Sequence, residues 1–107
     1  MIEIKLKPIS INEAFKGRRF KTDKYKRFER SLLYLLPIYK VPSGKLQLNL
    51  TIGLSSKNAD WDNPVKLIQD CLQKKYSFND RMIYRAIVEK VDVKKGDEFI
   101  KFELIEY

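Results

Sequence analysis

Hydrophobic residues alternate with polar ones in four stretches of the chain, and this two-residue period predicts β-strands. The stretches are 2–7, 45–54, 82–93 and 98–106. The second is the clearest, because Leu46, Leu48 and Leu50 fall on one face while Gln47 and Asn49 fall on the other. Such a strand packs one face against a core and turns the other towards polar surroundings.

Two further stretches carry apolar residues at the three- and four-residue spacing of a helix. The first starts after Thr22 or Asp23, which can cap a helix, and stops before Pro37. Its predicted apolar face consists of Tyr25, Phe28, Leu32 and Leu35. The second starts near Asn63-Pro64, because proline suits the first helical position. Its predicted apolar face consists of Val65, Ile68 and Leu72.

The order of these elements is β-α-β-α-β-β, which predicts an α+β fold (an α/β sandwich) with two helices on a small mixed sheet of about four strands. Residues 9–21 are polar and basic and are predicted to form a loop. The 107 residues fit one domain, 1–107. A chain this short buries a modest core, so pairing into a homodimer is expected to help it.

Positive charge is concentrated in one segment. The chain has 22 Lys and Arg against 14 Asp and Glu, a net charge of +8. Most of that excess lies between Lys16 and Arg30, a pattern that favours a polyanionic partner such as nucleic acid. The alternative is a solvated basic surface without a partner. The candidate phosphate contacts are Asn12, Lys16, Arg18, Arg19 and Lys21.

Two residue types narrow the chemistry. The chain has no histidine, which excludes histidine-based zinc sites, Ser-His-Asp triads and a histidine general base. Cys71 is the one cysteine, so no internal disulfide forms, which fits a reducing cytoplasmic setting. No segment has the pattern of a signal peptide or a membrane span. Catalysis would therefore depend on carboxylates, lysine or a metal.

A group of acids follows the clearest strand. No acid occurs between Glu29 and Asp60, and then Asp60, Asp62 and Asp70 come close together in the chain. Asp60 and Asp62 lie between a strand and a helix, where side chains commonly converge above a sheet. Lys66 is four residues after Asp62, a spacing that can place both on one helix face. Asp80 precedes the next strand and is expected to return to the same end of the sheet.

Aspartates in this pattern suit a hard cation. Mg²⁺ takes oxygen ligands and is held by one or two carboxylates together with phosphate oxygens. Such an ion activates water and stabilises the leaving oxygen in phosphodiester hydrolysis. A neighbouring lysine can stabilise the charge that develops on the phosphate. Without a metal, the same residues would form a helix cap, a turn and a solvated ion-pair ladder. Trp61 is expected to pack in the core or anchor the loop, with base stacking as the alternative.

These residues resemble the motif of the RusA family of Holliday-junction resolvases, which are often carried by phages and prophages. The matching positions are Asp60, Asp62, Asn63, Lys66, Asp70 and Asp80. The segment from Lys7 to Asn12 also resembles the opening of the family after its first strand. The length and the order of elements agree, so the resemblance covers nearly the whole chain.

The resemblance implies a structure-specific endonuclease that resolves four-way DNA junctions by paired nicks. Asp60, Asp62 and Asp80 would be the metal-binding carboxylates, and Lys66 would be a catalytic lysine. The cofactor would be Mg²⁺ or Mn²⁺. The enzyme would be a homodimer in the cytoplasm of a bacterial or phage-infected cell, with each subunit addressing one of two equivalent strands.

Two alternatives stay open. The chain could be a metal nuclease of another family, because Asp92-Val93-Lys94 and Glu3-Ile4-Lys5 each fit an acid-x-lysine triplet. It could also be a basic nucleic-acid-binding protein without catalysis, which would bind in a salt-sensitive manner and never cut.

Overall fold

A computed structural model describes residues 1–16 and 20–107 of the chain, without the side chains of residues 11, 12, 16 and 20. Its strands are β1 (Ile2–Ile4), β2 (Phe15–Lys16), β3 (Phe20–Lys21), β4 (Leu46–Leu54), β5 (Ile83–Asp92) and β6 (Phe99–Glu106). Its helices are α1 (Ile11–Ala14), α2 (Asp23–Leu35) and α3 (Val65–Tyr76), and a 3₁₀ turn spans Asp80–Met82. The architecture confirms the predicted α+β fold with two main helices on a mixed sheet.

The four-stranded sheet has the order β1-β6-β4-β5. β4 pairs antiparallel with β6 and parallel with β5. A parallel pair needs a crossover, because the chain must return to the start of the first strand before the second begins. α3 is that crossover, and it runs back along β4 before β5 starts. This return decides which residues meet at each end of the sheet.

Both main helices cover the same face of the sheet. The buried side chains of α2 are Tyr25, Phe28 and Leu32, and those of α3 are Leu67, Ile68, Cys71 and Leu72. They pack against the alternate leucines of β4 and against Ile100, Phe102 and Leu104 of β6. The prediction for Leu35 is wrong, because this residue is 44% exposed. α2 ends at Leu35. The backbone of the next residue, Leu36, is extended, and the side chain of Leu36 is buried in the core instead.

The N-terminal part of the chain is more ordered than its sequence indicates. The prediction of a loop over 9–21 is wrong in part, since α1 and the paired strands β2 and β3 lie within it. Ser10 and Glu13 form a reciprocal cap, in which each side chain accepts the other residue's backbone N–H at 3.3 Å. Thr22, the N-cap of α2, donates its hydroxyl to the carbonyl of Glu13 at 2.6 Å. β1 ends at Ile4, earlier than predicted, because Leu6 N–H bonds to the Ile4 carbonyl.

The second face of the sheet carries no main helix. Gln47, Asn49 and Thr51 of β4 lie half-buried on it. β5 is the edge strand beside them, and Ile87 and Val91 are 49% and 37% exposed. A ten-residue edge with exposed apolar side chains is a surface on which another strand can pair. Among the described residues, no helix is both long and apolar enough to cross a membrane.

Gly53 marks a close approach within this sheet. It pairs with Phe99 of β6, whose ring lies over it. A Cβ at Gly53 would lie 2.4 Å from two atoms of that ring, which is well inside van der Waals contact. Residue 53 is therefore glycine because a larger side chain would collide with the ring of Phe99.

We predict that Gly53→Ala destabilises the protein by about 1–3 kcal/mol, because the ring must move off its place on the sheet. The measurement is urea unfolding followed by circular dichroism. In a Phe99→Ala background the same substitution should cost little, since the ring it meets is gone. An equal cost in both backgrounds would contradict the packing explanation.

Candidate functional site

The loop after β4 carries the first two candidate carboxylates. Asp60, Trp61 and Asp62 are all exposed in it. The Asp62 carbonyl accepts the N–H of Val65 at the start of α3, so Asp62 precedes the helix. Trp61 is 53% exposed, and the expectation that it packs in the core is wrong. An exposed indole between two carboxylates is instead available to stack on a base.

Lys90 of β5 holds this loop. Its Nζ donates hydrogen bonds to the carbonyl of Ala59 at 2.8 Å and to that of Lys57 at 3.2 Å. Lys90 lies opposite Ile52 in the parallel pairing, near the end of β4 from which the loop leaves. One ammonium therefore ties the backbone just before Asp60 to the edge strand. The alternation of β5 places Lys90 on the face of the sheet that the helices cover, because Lys90 pairs with the buried Ile52.

A cleft of about 450 Å³ lies beside the same loop. The residues that line it include Asp60, Asn63, Glu13, Glu98 and Lys7. Glu98 accepts hydrogen bonds from the Ser55 hydroxyl at 2.7 Å and from the Gly96 N–H at 2.8 Å. The bond from Ser55 is the main cause that lowers the pKa of Glu98. The ionised carboxylate thus joins the start of the loop to the β5-β6 turn.

A second cluster surrounds Asp80. Lys66 Nζ lies 3.1 Å from Asp80 Oδ2 and 3.2 Å from Asp70 Oδ1. Gln69 Nε2 donates to the same Asp80 oxygen at 3.2 Å, and Gln73 Oε1 accepts the Asp80 backbone N–H at 2.9 Å. The hydrogen bond to Asp80, followed by that to Asp70, raises the pKa of Lys66. Lys66 is therefore a cation at neutral pH, suited to stabilising negative charge and unsuited to accepting a proton.

The fold separates the two groups of carboxylates. The Asp60 loop leaves the end of β4, where Leu54 pairs with Asp92. Asp80 precedes the start of β5, where Ile83 pairs with Leu46 at the other end of the sheet. The expectation that Asp80 returns to the end carrying Asp60 is wrong, because α3 takes the chain back along the strand. In the described part of the chain, no group of three or more acidic or cysteine side chains is close enough to hold a metal.

Lys21 is the one candidate DNA contact whose side chain the structure describes. Arg18 and Arg19 lie outside the described residues, as do the side chains of Asn12 and Lys16. Lys21 is exposed in β3, with Nζ 3.4 Å from Glu29 Oε2 and 5.0 Å from the centre of the Tyr25 ring. Glu29 also forms an ion pair with Lys74 of α3 at 2.9 Å. Lys21 therefore belongs to a network of ion pairs that links β3, α2 and α3.

Three side chains at the site escaped sequence reasoning, namely Gln69, Gln73 and Lys90. The glutamines follow Lys66 by three and seven residues, the spacing of one helix face. The spacing in the sequence indicates that polar face of α3, but it does not indicate that Asp80 contacts it. Lysine in an edge strand is so common that Lys90 carried no particular signal.

Comparison with known proteins identifies one family. A family model described as endodeoxyribonuclease RusA matches residues 10–102. The matched segment includes the Asp60 loop, α3 and the Asp80 cluster. A search of curated proteins gives no match.

Proposed function

Since this chain belongs to the RusA family of endodeoxyribonucleases, we propose that it resolves four-way DNA junctions by paired nicks with Mg²⁺ or Mn²⁺. Membership of the family implies an endonuclease that acts on Holliday junctions and depends on a divalent metal. It also removes support from the alternative that the chain is a nuclease of another family. The observation that carries the proposal is the family match over both carboxylate loops.

The surface of the protein supports a branched DNA substrate. The net charge of +8 favours a polyanion, and Lys16, Arg18, Arg19 and Lys21 are the phosphate contacts we propose, together with Asn12. The exposed Trp61 offers a stacking surface for a base that is unpaired at a branch point. Such DNA occurs in the cytoplasm of bacterial or phage-infected cells, where we propose that the protein acts.

The proposed metal ligands are Asp60, Asp62 and Asp80. Carboxylate oxygens suit Mg²⁺, which when bound supplies Lewis-acid activation of water and of the phosphate. One copy of the chain, however, keeps Asp80 at the opposite end of the sheet from the other two. We therefore propose that a complete set of ligands takes Asp80 from a second copy. Lys66 contributes a permanent positive charge that can stabilise the pentacoordinate phosphate.

The edge strand β5 supports a homodimer with a specific register. If two β5 strands pair antiparallel with Ile87 on the two-fold axis, Arg85 lies opposite Glu89 of the partner subunit, and Ile87 lies opposite its own copy. These residues share the open face, because they pair with alternate residues of β4. An axis at Arg85 or at Glu89 would oppose like charges, and an axis at Ala86 or at Val88 would oppose Ile87 to a charge. Of these five registers, the one with the axis at Ile87 is the complementary one.

This register has a consequence for the carboxylates. Antiparallel strands run in opposite directions, so the start of one β5 lies beside the end of the other. The partner's Asp80 then approaches the end of the sheet where Lys90 holds the Asp60 loop. Two equivalent carboxylate sets result, one for each nick, which supports symmetric cutting of a four-way junction.

The first prediction from the proposed function concerns Asp62→Asn. The substitution should lower junction nicking by at least about 100-fold while junction binding is kept, because it removes a ligand and reduces repulsion of the phosphate. The measurement compares a synthetic four-way junction with a linear duplex, each with and without Mg²⁺, and binding is followed by gel shift. Asp97→Asn, in the β5-β6 turn, is the matched control.

Full activity of Asp62→Asn would remove this aspartate from the site. A wild-type protein that binds junctions tightly but never nicks them in Mg²⁺ or Mn²⁺ would overturn the nuclease proposal in favour of the non-catalytic alternative.

The second prediction concerns the interface. Arg85→Glu should shift the protein from dimer to monomer, because it places a glutamate opposite Glu89 of the partner subunit; Glu89→Arg should do the same. The double variant Arg85→Glu/Glu89→Arg should restore the dimer, since the opposed charges are again unlike. Sedimentation velocity measures the oligomeric state, with Glu103→Arg on β6 as the control. A double variant that is as monomeric as the single variants would contradict the register.

A further inference from the structure

Asp80 is held by a turn that has little structure of its own. α3 ends at Tyr76, and Ser77 follows in the left-handed conformation with φ 55°. Two more residues, Phe78 and Asn79, lead to Asp80, at the head of the 3₁₀ turn before β5. A carboxylate on such a short connection takes its place from the contacts it makes with neighbouring elements.

Gln73 fixes the backbone of this turn. Its Oε1 accepts the Asp80 N–H at 2.9 Å, and its own carbonyl accepts the Ser77 N–H at 2.8 Å. Its Nε2 donates to Asp70 Oδ1 at 3.3 Å, which keeps the amide from rotating. One glutamine thus binds both ends of the segment that carries Asp80.

Gln69 fixes the carboxylate. Its Nε2 donates to Asp80 Oδ2 at 3.2 Å, and Lys66 Nζ binds the same oxygen. Within the described residues, Oδ1 of Asp80 makes no hydrogen bond. The helix face therefore holds one oxygen and leaves the second for another ligand. Because Gln69 is neutral, it orients the carboxylate without cancelling its charge.

We propose that Gln69 and Gln73 are positioning residues for Asp80, which set the direction of its carboxylate and the place of its backbone. The inference rests on the proposed function, in which Asp80 is a metal ligand. Groups that orient a ligand commonly change metal affinity by about 10–100-fold when they are removed. Gln73 acts on the backbone and Gln69 on the side chain, so their removal should have different signatures.

The experiment uses four variants of the full chain. Gln73→Leu and Gln69→Leu remove the contacts to Asp80. Gln73→Glu keeps an oxygen that accepts the Asp80 N–H. Gln47→Leu is the matched control, because Gln47 bonds to Asn49 at 2.9 Å on the open face of the sheet, opposite the face that α3 covers.

The first readout needs neither metal nor activity. Amide hydrogen exchange of Asp80 in metal-free protein should speed up about fivefold to tenfold in Gln73→Leu, because the acceptor of that N–H is lost. Exchange should stay near the wild-type rate in Gln69→Leu and Gln47→Leu. In Gln73→Glu it should rise less than in Gln73→Leu, because an acceptor oxygen remains although the bond to Asp70 is lost. Unchanged exchange in Gln73→Leu would overturn the role of Gln73.

The second readout is the Mg²⁺ dependence of junction nicking. The Mg²⁺ concentration for half-maximal rate should rise about tenfold in Gln69→Leu and in Gln73→Leu, with a smaller fall in the rate at saturating Mg²⁺. A structural role alone would lower the amount of folded enzyme and leave the half-maximal concentration unchanged, which would overturn the inference. If the wild type does not nick junctions, the proposed function fails, while the exchange result still decides the contact of Gln73.

Discussion

The parallel pairing of β4 with β5 is the constraint on which the site depends. A parallel pair requires a return crossover, and here α3 supplies it while burying Leu67, Ile68 and Leu72 against the sheet. The same return that builds the core carries the chain to the far end of the sheet before β5 begins. Core packing and the separation of the carboxylates therefore have one cause.

That separation gives the proposed dimer a chemical role. A single copy has two carboxylates in one loop and a third at the opposite end, bound by Lys66 and Gln69. In the proposed antiparallel pairing of two β5 strands, Arg85 lies opposite Glu89 of the partner subunit. This pairing can bring the two ends of the sheet together from different copies. Two-fold symmetry would then produce two equivalent sets of ligands, one for each of the two equivalent strands of the proposed substrate.

The sequence allowed the fold class to be predicted because alternation and helical spacing are local properties. The spacing of Asp60, Asp62, Lys66 and Asp80 also sufficed to recognise the family. The ends of the sheet at which these residues lie could not be predicted, since that depends on whether β5 runs parallel to β4. The exposure of Trp61 and the role of Lys90 depend on loop and edge contacts, which leave no periodic trace in the sequence.

The most direct test of the shared site is subunit complementation. Asp62→Asn and Asp80→Asn proteins, each inactive, are mixed under conditions that exchange subunits and are then given a four-way junction with Mg²⁺. If ligands come from two copies, each mixed dimer has one intact set, and nicking should return to about a quarter of the wild-type level. If each copy holds its own ligands, no mixed dimer has an intact set, and a mixture as inactive as either variant would contradict the account.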